Sequence, residues 1–383
     1  MISKENIERI VKVLKEDLRR YEEELKHKKI EWNELPQKKE CKCYAVDGSL
    51  GRERLSGTIL YSVASYAFGC GKSKYLSHTN ALIYNYRISD QIIRLQMETL
   101  ENKLAYFVGD SNYLIFMDGT LTGSLTRPPV YPECIEGIKT INKELGESKL
   151  KEMIKEFIEL LDSHYLELED KIKENKKVRE NTILSDNILE NFEEYYREMS
   201  FNLEESREII HVVLNYLEYL YSLDKVLNKK LVYVAKSFYS RVISEKLDIP
   251  LIELYILKNF NEEKEGYFIP KERAKVSHRL PEAIEKYFPN INKYINLGVP
   301  LAFIRAMKGG YIFNIQSNLD IDEELISNIL SHVVSGYIYP LKKAHEGVKI
   351  EKRWFDELVR ELTFKLKKEG LGAYIKYGRY ILE

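Results

Sequence analysis

The chain has few cysteines and no apolar segment long enough to cross a membrane. Its four cysteines are too few among 383 residues, and too unevenly spaced, for a disulfide scaffold, and a lone Cys-x-Cys lacks the second ligand pair of a zinc ribbon. They are Cys41, Cys43, Cys70 and Cys134. The longest apolar stretches, such as the one around Leu114 to Met117, are far shorter than the roughly 20 residues of a membrane span. We therefore expect neither a disulfide-rich protein nor a membrane protein.

The chain also has almost no net charge and no segment typical of a secretory signal. Its 59 lysines and arginines are balanced by 60 aspartates and glutamates, so any affinity for nucleic acid has to come from local basic patches. The N-terminus is amphipathic, carries both signs of charge and lacks the apolar stretch and cleavage site of a signal peptide. We expect a globular, cytoplasmic protein. The abundance of lysine and glutamate also fits a thermophilic source.

Hydrophobic periodicity divides the chain into five predicted segments. The first ends near Pro36, and the third is rich in glutamate and lysine and has almost no glycine or proline. The segments are an N-terminal helix (1–38), the first part of a core domain (39–144), a helical insertion (145–229), the second part of the core (230–350) and a C-terminal helical tail (351–383).

The core segments carry the pattern of a mixed α/β sheet. Short apolar runs from Cys43 onward predict three strands in meander order, and a helix is predicted from about Ser89 to Ala105. The run NYLIFMDGT then predicts a strand buried on both faces, and LVYVAKS at 231–237 predicts another. LAFIRAMKGGYIFNIQ at 301–316 predicts a hairpin that turns at its paired glycines. Three strands, a helix and a fourth central strand suggest a ribonuclease H-like α/β core with a large helical insertion and helical termini.

Two apolar runs each end in an aspartate followed by glycine and a hydroxyl residue, AVDGS at 45–49 and FMDGT at 116–120. This pattern predicts Asp47 and Asp118 at strand ends, where both carboxylates can bind a shared Mg²⁺ or Mn²⁺ ion. Two such ions, roughly 3.5–4 Å apart, would activate water and stabilise the leaving oxygen in phosphodiester hydrolysis. The competing interpretation is that each Asp-Gly pair only makes a turn.

Glu98 is a third candidate in the helix between these runs. Arg94 precedes it by four residues, so a surface ion pair is the simpler interpretation. The apolar neighbours Ile93, Met97 and Leu100 indicate, however, that part of the helix packs against the sheet. Glu98 could therefore reach the same cleft as the two aspartates.

The sequence MDGTLTG also invites comparison with the haloacid dehalogenase phosphatases. Their motif places a nucleophilic aspartate two residues before the Asp-Gly-Thr, and this chain has Phe116 there. An aspartyl-phosphate cannot form without that nucleophile, which argues against this class.

The motifs, taken in order, resemble those of the NurA family of DNA nucleases over roughly residues 40–350. They are YAVDGS, Arg94 with Glu98, FMDGTL, YVAKS and YPLKKAH. The resemblance implies a ribonuclease H-like fold, a homodimer, and Mn²⁺- or Mg²⁺-dependent exonuclease and endonuclease action on single- and double-stranded DNA. It further implies a partner, the hexameric ATP-driven translocase HerA, in resecting broken ends during homologous recombination.

The resemblance also implies a set of site residues. Asp47, Glu98, Asp118 and His345 would form the metal site, with Lys236 nearby as a further catalytic residue. Pro340 is placed to open the helix that carries His345, and the apolar Leu341 and Ala344 suggest that His345 faces the core. A histidine in that position is by default a packing or hydrogen-bonding residue, although a neutral imidazole suits Mn²⁺.

Basic residues near these motifs predict a path for the DNA backbone, because their side chains neutralise phosphates without reading bases. They are Arg52, Arg54, Arg127, Lys271, Arg273, Lys275 and Arg279. A solvated charged surface is the alternative for the group at 271–279. Two other functions stay open, a non-catalytic DNA-binding adaptor that loads a motor protein and a metal-dependent phosphatase. Three intact carboxylates favour the nuclease over the adaptor, and a phosphatase would not need the basic segments.

Overall fold

The computed structural model describes residues 3–25, 32–55, 58–83, 86–126, 132–236, 263–350 and 352–371. In the amino-terminal half the elements are α1 (Lys4–Leu25), β1 (Cys43–Leu55), β2 (Thr58–Gly69), β3 (Lys72–Leu82), α2 (Tyr86–Phe107), β4 (Leu114–Asp118), α3 (Leu121–Thr126), α4 (Pro132–Leu145) and α5 (Glu147–Glu174). There follow β5 (Lys177–Val178), α6 (Leu184–Asn187), a 3₁₀ turn (Leu189–Phe192), α7 (Glu193–Glu198), α8 (Leu203–Val226) and β6 (Lys230–Ala235). The remainder comprises β7 (Gly266–Phe268), α9 (Glu282–Glu285), α10 (Pro289–Leu297), β8 (Leu301–Arg305), β9 (Phe313–Ser317), α11 (Glu323–Ser331), β10 (Val333–Val334), β11 (Tyr337–Ile338), α12 (Tyr339–Val348) and α13 (Lys352–Lys368).

A nine-stranded sheet in the order β5-β3-β2-β1-β4-β6-β9-β8-β7 organises the described residues. β1, β2 and β3 form an antiparallel meander, while β4 and β6 run parallel to β1. Cys70 and Gly71 close the β2–β3 hairpin, both with positive φ (48° and 70°), which is the geometry that suits a two-residue turn between twisted strands. The predicted mixed α/β class is confirmed.

The predicted hairpin at 301–316 is present as β8 and β9, which pair antiparallel. Its turn is wider than the paired glycines suggested, since residues 306–312 connect the two strands. Gly309 alone of the pair has positive φ, at 67°. The Gly310 amide instead donates to the carbonyl of Met307 at 2.9 Å, so the second glycine closes a small turn within the loop.

Each face of the sheet packs against its own set of helices. Because strand side chains alternate between faces, Val46, Met117 and Tyr233 pack with α2 and the helices that follow β4. Their neighbours Ala45 and Phe116 pack on the opposite face, with α11 and α12. β4 is buried from Leu114 to Met117, as predicted for a strand covered on both faces.

The 145–229 segment contains α5, α6, α7 and α8 and lies on the α2 side of the sheet. It also supplies β5, which pairs with the outer strand β3 and was not predicted. Asn202 begins α8 by accepting a hydrogen bond from the Glu205 amide at 2.9 Å. The predicted domain boundaries stay predictions.

The termini are helical in the described residues. α1 leaves several apolar side chains exposed, as its amphipathic pattern predicts, namely Ile7, Ile10, Val11, Val13 and Leu14. Pro340 lies in the first turn of α12, as predicted, because its missing amide costs nothing there. Among the described helices, none has the length and apolar character needed to span a membrane.

Candidate active site

Asp47 and Asp118 lie side by side on neighbouring parallel strands. The last registered pair of β1 and β4 joins Val46 to Met117, and each aspartate is the next residue along its strand. β4 ends at Asp118 because Gly119 turns the chain at φ 100°, a conformation that glycine adopts without strain, and the Gly119 amide donates to Val234 at 3.1 Å. The turn that Asp-Gly suggested here is therefore real, and it leaves the carboxylate at the strand end.

Asp47 does not lie at a strand end, so that part of the prediction is wrong. β1 continues to Leu55 and stays paired with β2 through Asp47 and Gly48. Gly48 instead allows a close approach, since a Cβ atom built there would clash with the carboxylate of Glu101 on α2. The same dipeptide thus makes a turn in β4 and a contact site for a helix in β1.

A cavity of about 430 Å³ lies between α2 and the carboxyl ends of β4 and β6. Four carboxylates line it, those of Asp47, Glu98, Glu101 and Asp118, together with the Lys236 side chain. Glu98 is buried, and Arg94 donates to Asp90 at 3.1 Å one turn earlier in α2. We call this cavity the acidic cleft.

Glu101 is the carboxylate of the cleft that the sequence did not indicate. It is three residues after Glu98, so both side chains project from the same face of α2. The only signal was this spacing, which surface glutamates share. Its position against Gly48 shows that it belongs to the cleft.

The carboxylates affect one another's ionisation. Burial raises the pKa of Asp47, and the neighbouring charge of Asp118 raises it further, while hydrogen bonds from His345 and the Gly48 amide oppose the shift. The Lys236 ammonium lies 3.4 Å from Asp118 Oδ2 and 5.2 Å from the centre of the Tyr337 ring. Burial alone would lower the pKa of Lys236, but Asp118 and Tyr337 raise it overall, so this cation stays charged.

His345 contacts the cleft from α12, on the other face of the sheet. Its Nδ1 atom lies 2.7 Å from Asp47 Oδ2. The expectation that His345 faces the core is wrong, because its side chain is 66% exposed while Leu341 and Ala344 are buried. The helix buries its apolar stripe and presents the histidine at the rim, beside Asp47.

The donor set fits a hard divalent cation, because four carboxylates provide oxygen ligands. The Tyr233 hydroxyl adds a buried polar group to the lining of the cleft. Burial and the charges of Glu101 and Glu98 raise the pKa of Tyr233, so its hydroxyl stays a donor. Within those residues, no three acidic, histidine or cysteine side chains already converge tightly enough to hold an ion.

The predicted DNA-contacting residues fall into two groups. Arg52 and Arg54 are exposed on β1 beyond Asp47, and Arg52 contacts Asp90. Arg127 lies outside the described residues. Lys271, Arg273, Lys275 and Arg279 are exposed in an extended segment.

The structure does not bring this second group to the acidic cleft. Ala274 pairs with Val299, just before β8 begins. β8 runs parallel to β6, since both are antiparallel to β9, so its start lies at the sheet edge opposite Asp118 and Lys236. Arg273 also donates to Asp320 at 2.6 Å.

Comparison with known proteins gives consistent matches over most of the chain. A family model described as the NurA domain matches residues 41–350. The DNA double-strand break repair nuclease NurA of Pyrococcus furiosus is 34% identical over 452 residues, covering 100% of both chains. A crystal structure of NurA superposes with a TM-score of 0.84 at 35% identity, covering 94% of this chain and 98% of that one. A crystal structure of NurA bound to dAMP and manganese superposes with a TM-score of 0.82 at 35% identity, covering 92% of this chain and 94% of that one.

Proposed function

Because the chain belongs to the NurA family, we propose that it is a divalent-metal-dependent DNA nuclease that hydrolyses phosphodiester bonds. The observation that carries this function is the acidic cleft, in which four carboxylates from two strands and a helix line one cavity beside Lys236. The relative solved with dAMP and manganese supports both a deoxynucleotide ligand and Mn²⁺ as the cofactor. The family predicted from the ordered motifs is confirmed.

In this proposal Asp47, Asp118, Glu98 and Glu101 hold the cation. The bound ion would supply Lewis-acid activation of water and of the phosphoryl oxygen. Lys236 lies beside Asp118, where its ammonium stabilises negative charge that develops on the phosphate. His345 orients the Asp47 carboxylate through its 2.7 Å contact and is a candidate ligand from the cleft rim.

The strand order supports a ribonuclease H-like core. The inner strands follow the order β3-β2-β1-β4-β6, with an antiparallel meander first and β4 and β6 parallel to β1. α2 connects β3 to β4 and covers one face. We propose end resection in DNA repair as the biological setting and the cytoplasm as the location. The four carboxylates and the nuclease relatives favour DNA cleavage over the adaptor and phosphatase alternatives.

The test is cleavage of end-labelled single- and double-stranded DNA with Mn²⁺, with Mg²⁺ and with chelator. We expect cleavage with added metal, none with chelator and full recovery when Mn²⁺ is restored, because carboxylates alone do not activate water sufficiently. Cleavage that persists in chelator, or no cleavage with either metal, would contradict the proposed function.

We further propose a homodimer and a HerA-type hexameric ATPase as partner. The exposed apolar side chains of α1 support a protein contact at that helix. Deleting residues 1–28 should then reduce co-purification with the ATPase more than metal-dependent cleavage. Equal co-purification of both forms would place the contact elsewhere.

The DNA path is proposed to follow Arg52 and Arg54, which extend from the strand that carries Asp47. Replacing both with glutamine should reduce the slope of log affinity against log salt by about two, because each lost phosphate contact releases about one counterion fewer. The matched control is Lys271→Gln with Lys275→Gln, which removes the same charge at the opposite sheet edge. A larger change of slope in the control would move the path to the 271–279 segment. Binding is measured by a salt titration with a short duplex.

His345→Ala should raise the Mn²⁺ concentration for half-maximal cleavage by about tenfold, with recovery at high metal. The reason is that Asp47 loses the hydrogen bond that orients it, and the metal loses a candidate nitrogen ligand. Lys342→Ala, an exposed change on the same helix, is the control and should leave the metal dependence unchanged. Unchanged Mn²⁺ affinity of the alanine variant in calorimetry would make His345 a structural residue only.

A further inference from the structure

We propose that the helical segment 145–229 sets the position of α2 through two buried carboxylates, Asp186 and Glu218, and so keeps Glu98 and Glu101 directed into the acidic cleft. Gln96 and Lys103 on α2 are the positioning residues that receive this support. The inference rests on the proposed function, because it concerns the helix that carries two of the four cleft carboxylates.

α2 has two polar faces that point in opposite directions. An α-helix turns by roughly 100° per residue, so Gln96 and Lys103, seven residues apart, share one face. Glu98 and Glu101 lie between them on roughly the opposite face, where they line the cleft. Gln96 and Lys103 are both buried on the side of α2 away from the cleft. The contacts of Gln96 and Lys103 therefore fix the position of the α2 face that carries Glu98 and Glu101.

Asp186 holds the amino-terminal half of α2. Its side chain is 1% exposed, and its Oδ1 atom accepts a hydrogen bond from Gln96 Nε2 at 2.7 Å. The same Gln96 amide donates to Asn215 of α8 at 2.9 Å. The other partners of Asp186 are His211 at 2.8 Å, His78 at 2.8 Å, Asn80 at 2.6 Å and Tyr61 at 2.9 Å.

Glu218 holds the helix two turns further along. Lys103 is fully buried, and its ammonium lies 2.6 Å from Glu218 Oε1, 2.8 Å from the Thr182 carbonyl and 3.1 Å from His164 Nε2. Glu218 also accepts from the backbone amides of Leu184 and Ser185, both at 2.8 Å. These amides begin α6, the helix that carries Asp186. The two clusters therefore share α6 and act on α2 as one unit.

Both carboxylates, two of the three histidines (His164 and His211), and α6 itself come from the 145–229 segment. Charged hydrogen bonds in a buried site are short and directional, so they fix the rotation and axial position of the helix more tightly than apolar packing does. Displacement of a metal-binding carboxylate by a fraction of an ångström weakens the ion's coordination. A role in stability alone would predict no effect on the metal dependence of the folded protein.

The test compares two substitutions that each remove one neutral donor from Asp186. Gln96→Met cuts the link to α2 and keeps the side chain's length, while Asn80→Ala removes the donor from β3 and leaves α2 attached. We expect Gln96→Met to raise the Mn²⁺ concentration for half-maximal DNA cleavage by about tenfold, with recovery at saturating Mn²⁺, and Asn80→Ala to leave it unchanged. Mn²⁺ binding without DNA, followed by calorimetry, should weaken by the same factor in Gln96→Met alone.

Thermal unfolding first establishes that both variants are folded, and Gln96→Asn, which withdraws the amide by one methylene, replaces Gln96→Met if that variant does not fold. If Gln96→Met and Asn80→Ala had the same Mn²⁺ dependence, whether shifted from wild type or not, the inference would be overturned. Metal-dependent cleavage by the wild-type protein would still support the proposed function. A wild-type protein that binds no Mn²⁺ and cleaves no DNA would instead overturn the proposed function itself.

Discussion

Asp47→Asn and Asp118→Asn should each lower the rate of DNA cleavage by roughly 10²- to 10³-fold at saturating DNA and Mn²⁺. The two carboxylates occupy adjacent positions on parallel strands, so each is expected to contribute oxygen to the same cation. Losing one ligand removes several kcal/mol of stabilisation from a charged transition state, and about 1.4 kcal/mol corresponds to a factor of ten. Single-turnover cleavage of end-labelled DNA measures the effect.

Asp47→Asn should also stabilise the fold at neutral pH. The pKa of Asp47 in the folded protein is raised by burial and by Asp118, so the folded state binds a proton more readily than the unfolded state does. Such a group costs stability as pH rises above its ordinary pKa, which is 3.8. Asp47→Asn should therefore raise the melting temperature at neutral pH, and the gain should disappear below about pH 4.

Asp170→Asn is the matched control, because it makes the same chemical change at an exposed position on α5. It should leave both cleavage and melting temperature unchanged. A folded Asp47→Asn or Asp118→Asn variant with near-normal cleavage would remove that residue from the metal site. Lost cleavage together with a lowered melting temperature for Asp47→Asn would mean that its hydrogen bonds outweigh the repulsion.

The sequence predicted one aspartate of the cleft more accurately than the other. Asp118 ends a buried apolar run, and the glycine after it makes the turn that the dipeptide indicated. Asp47 was assigned a strand end for the same reason, yet its strand continues to Leu55. A glycine that follows an aspartate can either make a turn or allow another element to approach the strand closely. The residue that approaches Gly48 is Glu101, which is far away in the sequence, so the sequence could not distinguish the two cases.

The supports behind α2 could not be predicted from periodicity. Lys103 and Glu218 are 115 residues apart, and Gln96 and Asp186 are 90 apart. Polar residues in amphipathic helices normally face water, so nothing local marks these side chains as buried. For the basic group at 271–279, the charge was evident from the sequence but the location was not. The sheet edge at which this group lies depends on the order of β6, β9 and β8, which the sequence did not reveal.

Lys103→Met should lower the free energy of unfolding by about 3–5 kcal/mol, which is a large share of the roughly 5–15 kcal/mol typical of a folded domain. The Lys103 and Glu218 side chains are 0% and 1% exposed, so methionine would leave the Glu218 carboxylate buried without its countercharge. Burial by itself raises the pKa of Glu218, and the Lys103 ammonium holds it below its ordinary value. Urea unfolding at neutral pH measures the loss.

Two further variants separate the buried charge from simple loss of packing. Lys103→Met combined with Glu218→Gln should recover part of the stability, because glutamine carries no charge and its oxygen still accepts from the amides of α6. Lys151→Met, which breaks the exposed contact of Lys151 with Glu147, should have no measurable effect. If the double variant were no more stable than Lys103→Met alone, the loss would come from the lysine's hydrogen bonds and packing, and Glu218 would take up a proton when its partner is removed.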